Sequence, residues 1–332
     1  RISCAIVLAL AAFSACSCKE VVGIEKEFEV KGKTLLVYMA GNNSLSSSVH
    51  DNIEQMKQGY VPDEEGNIVI YSHVTDSPNQ PVLIHLKQDE GMVVLDTVYR
   101  FPYQSSVASA SLTSALNVTR TLFPADEMSL LLWSHGLGWV PVGYYANSPS
   151  PDDYSSGEGN LAVHNEGAPN FYFGHDFIGD SLKMPNMEIT ALEKALPYPL
   201  EFIIFDACNM GNIEVVYQLR NNARYIISSP AEIMSDGFPY HKITRHIFQD
   251  KSDLKAVAEE YYNYYMYQSS NKYATVSLVD CSKLDGLASI TADIFDIYRD
   301  NILLLKKSDV QTYSRFGKHW FHDFEDFISK LA

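Results

Sequence analysis

The feature that most constrains this chain is a unit that recurs along it: a short apolar run, a turn, a helical pattern, then another apolar run. Thr34 to Ala40, Asn67 to Val74, Ser129 to Ser134, Glu201 to Phe205, Arg224 to Ser229 and Ala274 to Asp280 read as strands. Strands that are apolar on nearly every residue are buried on both faces. Between them, Leu45 to Met56, Leu112 to Phe123, Met187 to Leu196, Ile213 to Arg220, Leu254 to Tyr267 and Leu284 to Arg299 carry helical periodicity. Strand, helix and strand in this order predict an α/β fold with a mostly parallel central sheet covered on both faces. Pro81 to Leu86 and Val93 to Tyr99, joined through Asp89-Glu90-Gly91, read as a hairpin beside that sheet. The 332 residues suffice for one large α/β domain with a sizeable core.

Two stretches depart from the rhythm. Residues 140–183 are dense in Gly, Pro, Ser, Asp, Asn and Tyr and show no sustained period. A loop of that length inside a domain is usually functional or disordered, and here it could cover a cleft or be a plain surface insertion. At the far end, Trp320, Phe324, Phe327, Ile328 and Leu331 fall on one helical face, so 301–332 reads as a helical packing segment that opens a further region of chain.

The N-terminus differs from both. Arg1 precedes an uncharged run from Ile2 to Phe13, which ends on Ser14-Ala15-Cys16. A basic start, a short apolar stretch and small residues describe a secretory signal, too short for a membrane span. Residues 1–18 resemble a lipoprotein signal segment in which Cys16 is lipidated, with Cys18 a poorer second site and 19–33 a linker. Lys19-Glu20 is similar to the acidic export signal of surface lipoproteins in Bacteroidetes-type bacteria. The expected location is therefore the cell envelope, outer membrane or cell surface, held by an N-terminal lipid anchor; an ordinary cleaved signal or a buried strand is the other reading. A net charge of −16 with no polybasic tract argues against nucleic acid as a partner. Three of the five cysteines lie in this segment, which leaves Cys208 and Cys281 in the body. That is too few for a disulfide scaffold.

Chemistry concentrates where two apolar runs stop. Leu130 to Ser134 ends on His135-Gly136, and Phe202 to Phe205 ends on Asp206-Ala207-Cys208. Ligands of open α/β sheets gather beyond the carboxyl ends of the strands, so these two ends can meet in one cleft. A thiol needs help to ionise, from an imidazole or a helix N-terminus, and the helix expected from Asn212 adds the second to the first. His135 would be the base and acid, and the amides of Gly136 and Cys208 the oxyanion donors. His73 and His85 inside strands, and His164 and His175 in the long loop, are weaker candidates. His319, His322 and Asp323 have a spacing able to hold a metal, but no paired cysteines or HExxH accompany them, so no metal is expected. No serine elbow, phosphate loop or dinucleotide fingerprint is present.

Ser134-His135-Gly136, Phe205 to Met210 and Ile227 to Glu232, each at a strand end, together resemble the clostripain family of cysteine peptidases. The resemblance implies a caspase-like α/β/α sandwich over 34–300, a His135/Cys208 dyad and protein or peptide substrates. It also implies cleavage after Arg or Lys, read by acidic groups. Asp206 matches that position, with Glu232 and Asp236 as weaker candidates; Asp206 could instead brace the turn after its strand. Members often cut themselves between histidine and cysteine, where Lys183 is the one basic residue between Gly136 and Pro185. Some need calcium, which Asp152, Asp153 and Glu158 could bind, although a solvated acidic loop explains them as well; no other cofactor is implied. A surface lipoprotein that keeps the fold as a silent binding module is the alternative function.

Overall fold

The structure, a computed structural model of the chain, describes residues 30–62, 64–76, 78–139, 172–177, 185–272, 274–315 and 318–331. Its elements run β1 (Lys31–Gly41), α1 (Ser46–Gln58), β2 (Asn67–Val74), β3 (Val82–Asp89), β4 (Met92–Arg100), α2 (Ser109–Leu122), β5 (Ala125–Trp133), β6 (Gly136–Gly138), β7 (Tyr172–His175) and β8 (Asn186–Glu188). They continue with α3 (Ile189–Ala195), β9 (Leu200–Asp206), α4 (Ile213–Gln218), β10 (Ala223–Ser228), α5 (Tyr240–Ile247), α6 (Leu254–Asn263), β11 (Ser277–Asp280), α7 (Leu284–Ile297), α8 (Arg299–Leu304), β12 (Thr312–Arg315), β13 (Lys318–His322) and α9 (Phe324–Ser329).

Eight strands form one sheet in the order β11-β10-β9-β5-β1-β2-β3-β4. The middle run from β10 to β2 is parallel, and β11, β3 and β4 are antiparallel additions at the edges. The period of two along each strand divides the core. Leu36, Tyr38, Leu130, Leu132, Ile203 and Phe205 face α2, α3 and α4, whereas Leu35, Val37, Leu131, Trp133, Phe202 and Ile204 face α1, α5 and α6. Burial on both faces explains why these strands read as continuous apolar runs.

The strand order reverses between β1 and β5, since the chain leaves β1 toward β2 on one side and returns to place β5 on the other. Such a switch point leaves a crevice beyond the carboxyl ends of its two strands. Gly41 to Ser44 and Ser134-His135 occupy that crevice. A second, three-stranded sheet, β6-β7-β8, borders it, with Gly174 N donating to His135 O and, just past β7, Phe177 N to Asn42 O.

Several expected elements differ. Met187 lies in β8, and the helix begins only at Ile189. The helix from Leu254 widens into a π turn at Tyr264–Gln268. The single helical stripe through Trp320 is incorrect: Trp320 belongs to β13, paired with β12, and α9 starts after Asp323, whose carboxylate accepts from the Asp326 amide at 2.8 Å. That cap fixes where the helix begins, and the aromatic residues before it favour a strand. Helix α5 has no clear period in the sequence, although Tyr240, Ile243, Thr244 and Ile247 are its buried face. Its eight residues include a polar threonine on that face, which hides the period.

Candidate active site

Three strand ends meet at the crevice. Trp133 of β5 is in register with Met39 of β1 on one side and Asp206 of β9 on the other. The Ser134 amide donates to the Asp206 carbonyl at 3.3 Å, and the Ser134 hydroxyl to Ala40 O at 2.7 Å. The residues that follow, His135 and Cys208, therefore leave neighbouring strands in the same direction.

Glycine lets the two turns touch. A Cβ on Gly136 would lie 2.4 Å from the Cys208 carbonyl oxygen and 3.2 Å from its amide nitrogen. One on Gly138, whose φ is +59°, would lie 1.9 Å from Asn209 O. Side chains at either position would push the histidine turn off the cysteine turn. The cysteine turn is itself fixed. Asn209 adopts φ 59°, which its side-chain amide tolerates better than most residues. Its amide donates to Ala231 O at 3.0 Å, and its carbonyl accepts from Asn212 Nδ2 at 2.7 Å. Asn212 also caps α4, but that helix has six residues, so its dipole adds less than a longer helix would.

Cys208 is half-buried, and its Sγ lies 3.5 Å from Ile233 O. Cys281 is also a thiol, but it is buried, and burial followed by the charge of Asp280 pushes it up to about 11. Its place is in the core beside β10.

Ser44 and His175 flank the His135 ring. Its Nε2 is 3.0 Å from the Ser44 hydroxyl at the end of β1. The His175 ring stacks on it, centroids 4.4 Å apart and planes 4° from parallel. His175, expected as a weaker candidate within the long loop, ends β7. That strand is anchored by Gly174 N donating to His135 O at 2.7 Å and by Asn43 Nδ2 donating to His175 O at 2.8 Å. The next residue, Asp176, is fully buried and accepts from Ser105 Oγ at 2.7 Å and from the Ser106 amide and hydroxyl at 2.6 Å each. Burial lowers His175 below the usual imidazole value, with Asp176 pulling the other way. His73, expected only as a strand residue, packs 4.0 Å from Asp176 and is likewise lowered by burial.

Asp206 continues the Phe202, Ile204 alternation and so points toward α5 and α6. It is buried and accepts from the Phe238 amide at 3.1 Å and from the Tyr240 hydroxyl. Burial raises it to about 6, against those two bonds. Asp236 is exposed in the same loop, its carbonyl held by Asn52 Nδ2 at 3.2 Å, and Glu232 is half-buried nearby in sequence. The buried Tyr261 hydroxyl is pushed up first by burial and then by the charges of Asp206 and Cys208. Cys16, Asp152, Asp153, Glu158, His164 and Lys183 lie outside the described residues. Among the described residues no group of three or more His, Cys, Asp or Glu is placed to hold a metal, and no helix is long and apolar enough to cross a membrane. His322 and Asp323 instead line a cavity of about 830 Å³ with residues of α4 and α7, a lining that takes in Gly211 and Asn212 but not Cys208.

Asn43 and Ser44 carry no sequence signal of a site role in themselves, and His175 only that of a weaker candidate. The Gly41-Asn42-Asn43 turn at the end of the first strand was the one available signal, since a switch point needs a strand end on each side.

The sequence pattern of the clostripain family matches residues 37–166 and 172–318. No curated protein matches. Among solved structures, a secreted C11 cysteine protease from Bacteroides thetaiotaomicron in complex with an irreversible peptide inhibitor is 30% identical; the match covers 90% of this chain and 78% of that one, with a TM-score of 0.71. An inactive zymogen C11 protease from Parabacteroides distasonis is 30% identical over 92% of this chain and 79% of its own, also at 0.71. Another secreted C11 cysteine protease from Bacteroides thetaiotaomicron, iotapain, at 24% identity over 91% and 80% and a TM-score of 0.70, is similar in fold. With its mixed α/β architecture, its mostly parallel eight-stranded sheet and a family match over most of its length, the chain belongs to the clostripain family of cysteine peptidases.

Proposed function

We propose that Cys208 is the nucleophile and His135 its base and acid, in an exported endopeptidase that cleaves after Arg or Lys. His135 takes the thiol proton, and Cys208 Sγ attacks the carbonyl carbon of the scissile bond. The amides of Gly136 and Cys208 hold the oxyanion, and one such donor is worth roughly 2.7–4 kcal/mol in a serine protease. His135 then gives its proton to the leaving amine, and water, activated by the same ring, hydrolyses the thioester.

The observation that carries this reading is the contact of the two turns, with Gly136 pressed on the backbone of Cys208. Specificity rests on Asp206 as a buried acid beside the cysteine segment, with Asp236 and Glu232 as further acids in the 230–240 loop. A basic side chain brought to Asp206 would favour its ionised form. An N-terminal lipid on Cys16 would place the enzyme at the cell envelope, and Lys183 would be the site of self-cleavage.

The experiment compares wild type, Cys208→Ala and His135→Ala on fluorogenic peptides ending in Arg, Lys or Leu, under reducing conditions. Turnover of the Arg and Lys peptides is expected only from wild type. Turnover surviving Cys208→Ala would refute the nucleophile, and equal turnover of the Leu peptide would refute the basic preference. In the same incubations a fragment beginning at Met184 should form in wild type alone, and a fatty-acid label should be lost in Cys16→Ser.

A further inference from the structure

The His135 ring is held from two sides by residues that have no part in the dyad. Ser44 Oγ lies 3.0 Å from Nε2, and the His175 ring lies flat against the imidazole at 4.4 Å. These two neighbours come from different elements. Ser44 follows β1, across the switch point, where Asn43 donates to Ala40 O at 2.9 Å and its Oδ1 accepts from the Leu45 amide at 2.9 Å. His175 ends β7, tied down by the Asp176 bonds to Ser105 and Ser106 and by Phe177 N donating to Asn42 O at 2.7 Å. Both neighbours are thus firmly mounted, on segments tied to each other by Asn43 Nδ2 donating to His175 O and Phe177 N donating to Asn42 O.

A neutral imidazole has one N–H and one lone pair, and the partner of one nitrogen sets the state of the other. If Nε2–H donates to Ser44, Nδ1 carries the lone pair that a base needs. If Ser44 donates to Nε2, Nδ1 holds the proton and the ring cannot take another there. We propose that Ser44 and His175 are positioning residues for His135: the Ser44 hydroxyl oxygen accepts a hydrogen bond from Nε2–H and so fixes the tautomer, while the His175 face fixes the plane of the ring. This rests on the reading of His135 as the base. Burial keeps His175 uncharged near neutrality, against the pull of Asp176, so that the ring gaining a proton faces a neutral π surface rather than a second cation.

The test uses the full chain with ¹⁵N-labelled histidine, as wild type, Ser44→Ala, Ser44→Thr, His175→Ala and His175→Phe, each checked by thermal melting. At a pH where the imidazole is neutral, the wild-type His135 signals, assigned by their loss in His135→Gln, should show a protonated Nε2 and a lone pair on Nδ1. Ser44→Ala should give a mixture of tautomers and lower kcat about tenfold with KM little changed, the scale on which a partner that orients a histidine is felt in other sites. Ser44→Thr should restore both readouts. His175→Ala should lower kcat similarly, and His175→Phe, which keeps a flat ring, should recover most of it. A wild-type ring protonated at Nδ1, or a tautomer and a kcat that neither alanine variant moves, would overturn the proposal. Failure of the underlying reading looks different, because turnover that survives His135→Ala removes the base assignment whatever the tautomer.

Discussion

At the scale of single residues, Asp206 separates charge from support. Its proton is held more tightly in the folded chain, at about 6, than at the ordinary value of 3.8. The stability this confers is complete below about pH 4 and is lost as pH rises through about 6, a swing on the order of 3 kcal/mol at most. Asp206→Asn keeps an oxygen for the Phe238 amide and the Tyr240 hydroxyl but cannot ionise. Between pH 4 and pH 7 the variant should therefore lack the loss of melting temperature that Asp206 causes in wild type, and at pH 7.5 it should melt above wild type. If the charge also reads a basic side chain, kcat/KM on Arg and Lys peptides should fall about a hundredfold, as when one partner of a buried charge pair is removed. That melting difference with unchanged kcat/KM would leave Asp206 as a brace alone. His135, Cys208 and Asp206 were legible in sequence because each interrupts an apolar run. Ser44 was not, and His175 only as a weaker candidate, because their meaning lies in contacts across the switch point that no local pattern encodes.

At the scale of elements, the strands of the parallel sheet were legible because burial on both faces leaves unbroken apolar runs, as in Leu130 to Trp133 and Phe202 to Phe205. The small sheet β6-β7-β8 was not. Its strands are three or four residues long, with glycine in β6 and β7, and they are made by tertiary pairing rather than by propensity. Strand β6 nevertheless carries the approach of the two turns. Gly136→Ala would drive a methyl group into the Cys208 carbonyl, a backbone atom that cannot rotate away. Overpacking of this kind costs about 1–3 kcal/mol. The melting temperature should drop and peptide turnover should fall at least tenfold, in the range of a displaced reacting group; a variant with wild-type turnover would show that the contact is not needed.

At the scale of the molecule, sheet order and chain order do not agree. Strand β9 is seated between β5 and β10, and β8 pairs with β7 across the stretch that contains Lys183. A chain cut after Lys183 should therefore stay assembled. The two fragments should elute together from a sizing column in native buffer with the melting temperature little changed, and separate only in denaturant; fragments that part in native buffer would contradict this topology. The same seating has a consequence for synthesis. When His135 has left the ribosome, the segment bearing Cys208 has yet to be made, and after it is made it must still insert beside β5 with β10 closing on its other edge. The growing chain carries its histidine and its thiol as strangers, and the turns of Gly136 and Cys208 can meet only once β9 is seated beside β5.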